Sequence, residues 1–72
     1  MNWGVKIPDC LAKWAEKHPC KIKLAFNSEQ RSRIIEIWVK DAEMGLFILQ
    51  AAFCVDGSCY EVDVEEWVKK NS

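Results

Sequence analysis

Residues 46–62, LFILQAAFCVDGSCYEV, decide how this chain is read. Ten uncharged residues, 46–55, are followed by Asp56-Gly57, which closes two-residue hairpins because such turns need positive φ at their centre. The pattern predicts a strand over 46–55, a tight turn, and a returning strand over 58–62. That turn would set Val55 opposite Ser58, Cys54 opposite Cys59, Phe53 opposite Tyr60, and Ala51 opposite Val62. Opposed residues share a face and successive residues alternate, so this register assigns side chains to the two faces of a sheet.

Upstream, residues 33–40 (RIIEIWVK) are β-branched and strand-like, and residues 41–45 read as a hairpin loop with Gly45 in the left-handed position. Residues 21–26 (KIKLAF) alternate, with Ile22, Leu24 and Phe26 on one side and Lys21 and Lys23 on the other. Residues 27–32 form a polar connection. Four strands in meander order follow. Trp3, Val5 and Ile7 alternate, as a short edge strand or a segment pinned across the core would.

Helices bracket the strands. Leu11, Trp14, Ala15 and His18 recur at i, i+3, i+4 and i+7, which predicts a helix over 10–17 after an Asp9 cap, ended by His18-Pro19. Asp63 with Glu66 three residues later predicts a second helix start. Val64, Trp67 and Val68 form its apolar stripe, and Lys69 and Lys70 suit its negative end. The expected fold is one α+β domain over residues 1–72. It is a four-stranded antiparallel meander with an N-terminal and a C-terminal helix packed on one face.

The predicted register separates the faces. Phe47, Leu49, Ala51, Phe53, Val55, Tyr60 and Val62 join the Ile35 and Ile22 rows beneath the helices. The opposite face is mixed, with Ile34, Glu36, Trp38, Lys40, Leu46 and Ile48 beside Lys21, Lys23, Cys54 and Cys59. A surface combining apolar, aromatic and charged groups has the composition of a contact surface.

Composition narrows the function classes. The chain has 72 residues, half of them hydrophobic and 29% charged, as globular domains do. Four tryptophans serve equally as core or as interface anchors. Ten basic and eleven acidic side chains leave a net charge of −1, without the basic surplus that drives nucleic-acid affinity. Residues 1–6 lack the basic start and apolar run of a signal peptide, and residues 45–52 are too short to span a bilayer. The expected compartment is the cytoplasm, with cysteines reduced and no membrane contact.

Catalytic and metal signatures are weak. Cys10, Cys20, Cys54 and Cys59 contain no Cys-x₂-Cys pair, so a zinc knuckle is not indicated and no metal or cofactor is expected. Cys54 and Cys59, opposed across the predicted hairpin, would come within disulfide reach. The one histidine, His18, has no carboxylate spaced to orient it as a base. Gly4, Gly45 and Gly57 form no phosphate-cradling loop. No enzyme is expected.

Residues 33–41 (RIIEIWVKD), followed by Gly45-Leu46-Phe47, resemble small uncharacterised proteins encoded in phages and prophages of Gram-positive bacteria. The element order is also similar to some anti-CRISPR inhibitors, though without the strong acidity of those that mimic DNA. The resemblance implies a short accessory protein that binds a host protein, and it assigns no functional residue. Three readings of the mixed face follow. The first is a protein-binding surface of Trp38, Ile34, Glu36, Lys40, Leu46 and Ile48. The second is a homodimer contact. The third is a nucleic-acid platform of Lys21, Lys23, Arg33 and Trp38.

Overall fold

The structure, a computed structural model describing residues 5–72, runs helix, three strands, helix. Helix α1 spans Asp9–Lys17, strands β1, β2 and β3 span Cys20–Asn27, Ser32–Lys40 and Phe47–Cys54, and helix α2 spans Tyr60–Lys70. The sheet is antiparallel in the order β1-β2-β3. Both helices contribute to one core on one side of it, where Leu11 and Trp14 from α1 and Tyr60, Val64 and Val68 from α2 meet Ile35 and Ile37 of β2. Val5 is 2% exposed in this cluster, so the segment before α1 crosses the core, but residues 5–8 form no strand. Trp3 lies outside the described residues. No helix among these residues is long and apolar enough to cross a membrane.

Among the described residues the sheet has three strands, not four. The expected return strand over 58–62 does not form, and Asp56-Gly57 does not close a hairpin. The Gly57 N–H donates to the Cys54 carbonyl, the Tyr60 N–H to Gly57, and the Asp63 N–H to Cys59, so the chain winds from β3 directly into α2. Tyr60, Val64 and Val68 then recur at helical spacing and are buried together. The Tyr60 hydroxyl donates to the Lys6 carbonyl at 2.9 Å, which ties the start of α2 to the N-terminal segment. Asp63 is inside the first turn rather than capping it, and Cys59 is the N-cap residue, without a side-chain cap bond.

Helix α1 starts one residue earlier than predicted. Asp9 is its first residue and Pro8 its N-cap, with the Pro8 carbonyl accepting from Leu11 and Ala12. Proline fits there because its fixed φ matches the helix entry and its missing N–H is not needed.

The two hairpin loops share one build. Asn27 Oδ1 accepts from the N–H groups of Glu29 and Gln30, and Asp41 Oδ1 accepts from the N–H of Glu43. Four residues later the backbone turns left-handed, at Arg31 (φ 50°) in the first loop and at Gly45 (φ 70°) in the second. The short polar side chain starts each turn, and the positive φ brings the chain back into the ladder.

A bulge interrupts β3. Ile37 pairs with Ala51 and Trp38 with Leu49, leaving Gln50 without a partner on β2. One extra residue reverses the alternation beyond it. Ala51 and Phe53 stay on the helix side with Ile37 and Ile35, whereas Leu49 and Phe47 pair with Trp38 and Lys40 and move to the other face. Ile48 pairs with Val39 and crosses to the helix side. The predicted placement of Phe47, Leu49 and Ile48 is therefore inverted.

Candidate functional site

The uncovered face of the sheet is built from three rows. β1 supplies Lys21, Lys23 and Ala25, β2 supplies Ile34, Glu36, Trp38 and Lys40, and β3 supplies Phe47, Leu49, Ala52 and Cys54. Of the residues expected on this face, Ile34, Glu36, Trp38, Lys40, Lys21 and Lys23 stand there together. Ile48 does not, because of the bulge, and Leu46 precedes β3 in the loop, 58% exposed. Phe47 and Leu49 take their place. Nothing in the run 46–55 announces the bulge, since it contains no glycine.

Trp38 is the centre of this surface. Lys21 and Leu49 are its cross-strand neighbours on the two sides. Its Nε1–H donates to Glu36 Oε1 at 3.2 Å, and the Lys23 ammonium lies 4.7 Å from its ring centroid. Lys21 reaches across β2 to place its ammonium 4.4 Å from the Phe47 ring centroid. Each contact of this kind contributes about 0.5–1 kcal/mol at an exposed site. Together they hold two aromatic rings and two lysines in fixed relative positions, next to Leu49 at 44% exposure. The strand residues on this face carry three cations and one anion, on a chain whose net charge is −1.

Arg33 does not join this group. It alternates with Ile34, so it stands on the side of Ile35, where its guanidinium bonds Asp56 with Nη2 to Oδ1 at 2.6 Å. The four residues of the nucleic-acid platform are thus divided between the two faces.

The cysteines and His18 form no reactive constellation. All four thiols are free. Cys54 pairs with Ile34 in the ladder and Cys59 caps α2, so the register that would oppose them is absent. Burial pushes the Cys20 thiol pKa up, away from thiolate chemistry, and its Sγ faces the Ala15 carbonyl at 3.9 Å. His18 stacks on Trp14, with centroids 4.2 Å apart, and its Nδ1–H donates to the Trp14 carbonyl at 2.8 Å. A carbonyl only accepts, so that bond fixes the proton on Nδ1. Beside this stack lies a groove of about 340 Å³ between the helices, lined by Cys10, Trp14, His18 and Val68. Cys10 and His18 are eight residues apart along α1, roughly 12 Å of rise, which is too far for a thiol–imidazole pair. Among the described residues no three His, Cys, Asp or Glu side chains gather as a metal site.

No family model, no curated protein and no solved structure matches this chain.

Proposed function

We propose that this protein is a non-enzymatic binding module that holds a protein partner against the uncovered face of its sheet. One observation carries the reading: Trp38, Phe47 and Leu49 stand together on the face without helices, and Lys21, Lys23 and Glu36 fix the two rings. An aromatic anchor held rigid before binding loses little rotamer freedom on contact, which is what an interface hot spot needs. The three lysines of the face favour a partner carrying carboxylates around an apolar centre. The likeness of residues 33–41 to small phage and prophage proteins would make that partner a host protein, met in the cytoplasm.

The test is recovery of partners from a bacterial host lysate on immobilised wild-type protein and on the Trp38→Ala and Leu49→Lys variants. Circular dichroism would establish that both variants are folded. The expected result is one or more proteins retained by wild type and lost by both variants. Identical partner sets on all three would remove this face from consideration.

A further inference from the structure

The outer edge of β3 has a pattern that a second copy of this chain matches. Among the described residues β1 and β3 are the two edges of the sheet, and they differ in protection. β1 follows Pro19 and carries Lys21 and Lys23, features that discourage strand addition. β3 lies within eleven consecutive residues, 45–55, that contain no charge and no proline. Its apolar side chains are open on both sides of the strand, with Ile48 38% and Leu49 44% exposed. No described strand pairs with its outer edge.

Backbone directions along that edge follow from two bonds. The Val55 N–H donates inward to the Arg33 carbonyl, so by alternation Cys54 and Ala52 direct their N–H and C=O groups outward. The Leu46 carbonyl accepts inward from the Asp41 N–H, so Phe47 and Leu49 direct theirs outward. The outward residues are therefore 47, 49, 52 and 54, because the Gln50 bulge inserts an extra residue between the two halves. A regular strand repeats every two residues and can engage only one half. A second β3, running antiparallel about a two-fold axis between Gln50 and Ala51, carries the same interval in reverse. It sets Leu49 opposite Ala52 of the other copy in a hydrogen-bonded pair, and Phe47 opposite Cys54, whose carbonyl already accepts from the Gly57 N–H and which brings its own N–H to the pair. All four residues share the uncovered face, so the pairing is matched in side-chain direction as well.

Charge distribution selects this arrangement over face-to-face stacking. Stacking two uncovered faces would gather six lysines and two glutamates in one interface. Edge pairing puts the two β1 strands at opposite ends of a six-stranded sheet, five strand spacings or roughly 24 Å apart, well beyond the screening length of about 8 Å.

We infer that the chain forms a two-fold dimer by antiparallel pairing of β3 with β3, the Gln50 bulges lying beside the axis. This inference does not require the proposed partner, and Trp38→Ala separates the two readings because Leu49 and Phe47 serve in both. The dimer joins two uncovered faces edge to edge and leaves both Trp38 side chains open.

The test is sedimentation equilibrium of the wild type with two double variants that differ in the sign of one charge. Wild type is expected at twice the 8.3 kDa chain mass. Leu49→Lys with Ala52→Lys opposes like charges at each of the two related pairs. Its dimer dissociation constant should rise by about 100-fold or more. Leu49→Glu with Ala52→Lys opposes unlike charges at the same positions and should restore the dimer. Phe47→Cys should give a covalent dimer under mild oxidation, through the new thiol and Cys54 of the other copy, and Cys54→Ser should abolish it. A monomeric wild type at millimolar concentration overturns the inference. So does a dimer insensitive to the sign at position 49, open-ended fibres in place of a closed dimer, or a covalent dimer that survives Cys54→Ser.

Discussion

Asp56 receives both the backbone and the side chain of Arg33. Its Oδ2 accepts from the Arg33 N–H at 3.1 Å and from Nε at 3.4 Å, while Oδ1 accepts from Nη2 at 2.6 Å. This contact joins the start of β2 to the turn that leads from β3 into α2. It satisfies a backbone donor at the end of the ladder and fixes where the chain leaves the sheet.

The pH dependence of that contact has a definite sign. The bond from the Arg33 guanidinium, then that from its backbone N–H, holds the Asp56 carboxyl below its ordinary pKa. The folded state therefore binds this proton less readily than the unfolded state. The stabilisation is complete above the unfolded carboxyl value of about 3.9 and is lost as pH falls through the lower folded value. Both groups are solvent-exposed, so the effect is modest. Thermal melts of wild type and Asp56→Asn should differ at pH 5–7, with the variant lower, and converge in strong acid.

The shared loop geometry makes reciprocal predictions. Arg31 has the left-handed backbone that Gly45 has in the sister loop, and a side chain disfavours that region. Arg31→Gly should stabilise by about 0.5–1 kcal/mol after allowing for glycine's greater unfolded freedom. Gly45→Ala should destabilise by about 1 kcal/mol. A Cβ at position 45 would meet no atom within 4 Å, so the whole effect there is backbone strain. Urea unfolding should show opposite shifts in midpoint with unchanged slopes.

Trp14 joins the two helices within the core. It is 6% exposed, stacks on His18, meets Trp67 edge-on at 4.9 Å, and donates Nε1–H to the Asn71 carbonyl at 3.0 Å. It thereby fastens the end of α2 to α1. Trp14→Ala should cost about 3–5 kcal/mol. A core of this size supplies about 3–5 kcal/mol in total. The variant should therefore lose cooperative unfolding, whereas Trp14→Phe should fold with a lower midpoint. Denaturant titration followed by circular dichroism distinguishes the two.

Tyr60 should govern alkaline stability. Burial, and to a lesser degree the charge of Glu61, raises its pKa above the ordinary phenol value. The neutral form is favoured in the folded state, so its contribution is complete below about pH 10 and is lost as pH rises through the folded value. Tyr60→Phe also removes the bond to the Lys6 carbonyl, worth about 0.5–1.5 kcal/mol. Wild type should melt above the variant at neutral pH, and the gap should close in alkali.

The candidate face was legible where side chains follow an uninterrupted alternation. Lys21 and Lys23 on β1, and Ile34, Glu36, Trp38 and Lys40 on β2, stand where period-two reading puts them. Phe47, Leu49 and Ile48 do not, because an extra residue at Gln50 reverses every position before it. A strand whose one polar residue is the bulged Gln50 cannot reveal such a slip, since both of its faces otherwise read alike.

Amphipathic periodicity and turn chemistry in the sequence alone determined α1, the three strands, their antiparallel order and the left-handed turn at Gly45. The helix from Asp63 onward follows its own stripe of Val64, Trp67 and Val68, whereas the path over residues 56–62 was settled by tertiary packing. Residues 58–68 satisfy both periods: Tyr60 and Val62 alternate as in a strand, and Tyr60, Val64 and Val68 recur as in a helix. A fourth strand would have left Tyr60 in a ladder at the sheet edge. The helix instead brings Tyr60, Val64 and Val68 against Leu11, Trp14, Ile35 and Ile37 in one core. It leaves the edge of β3 open, and burying these three side chains in the shared core is favourable for so short a chain.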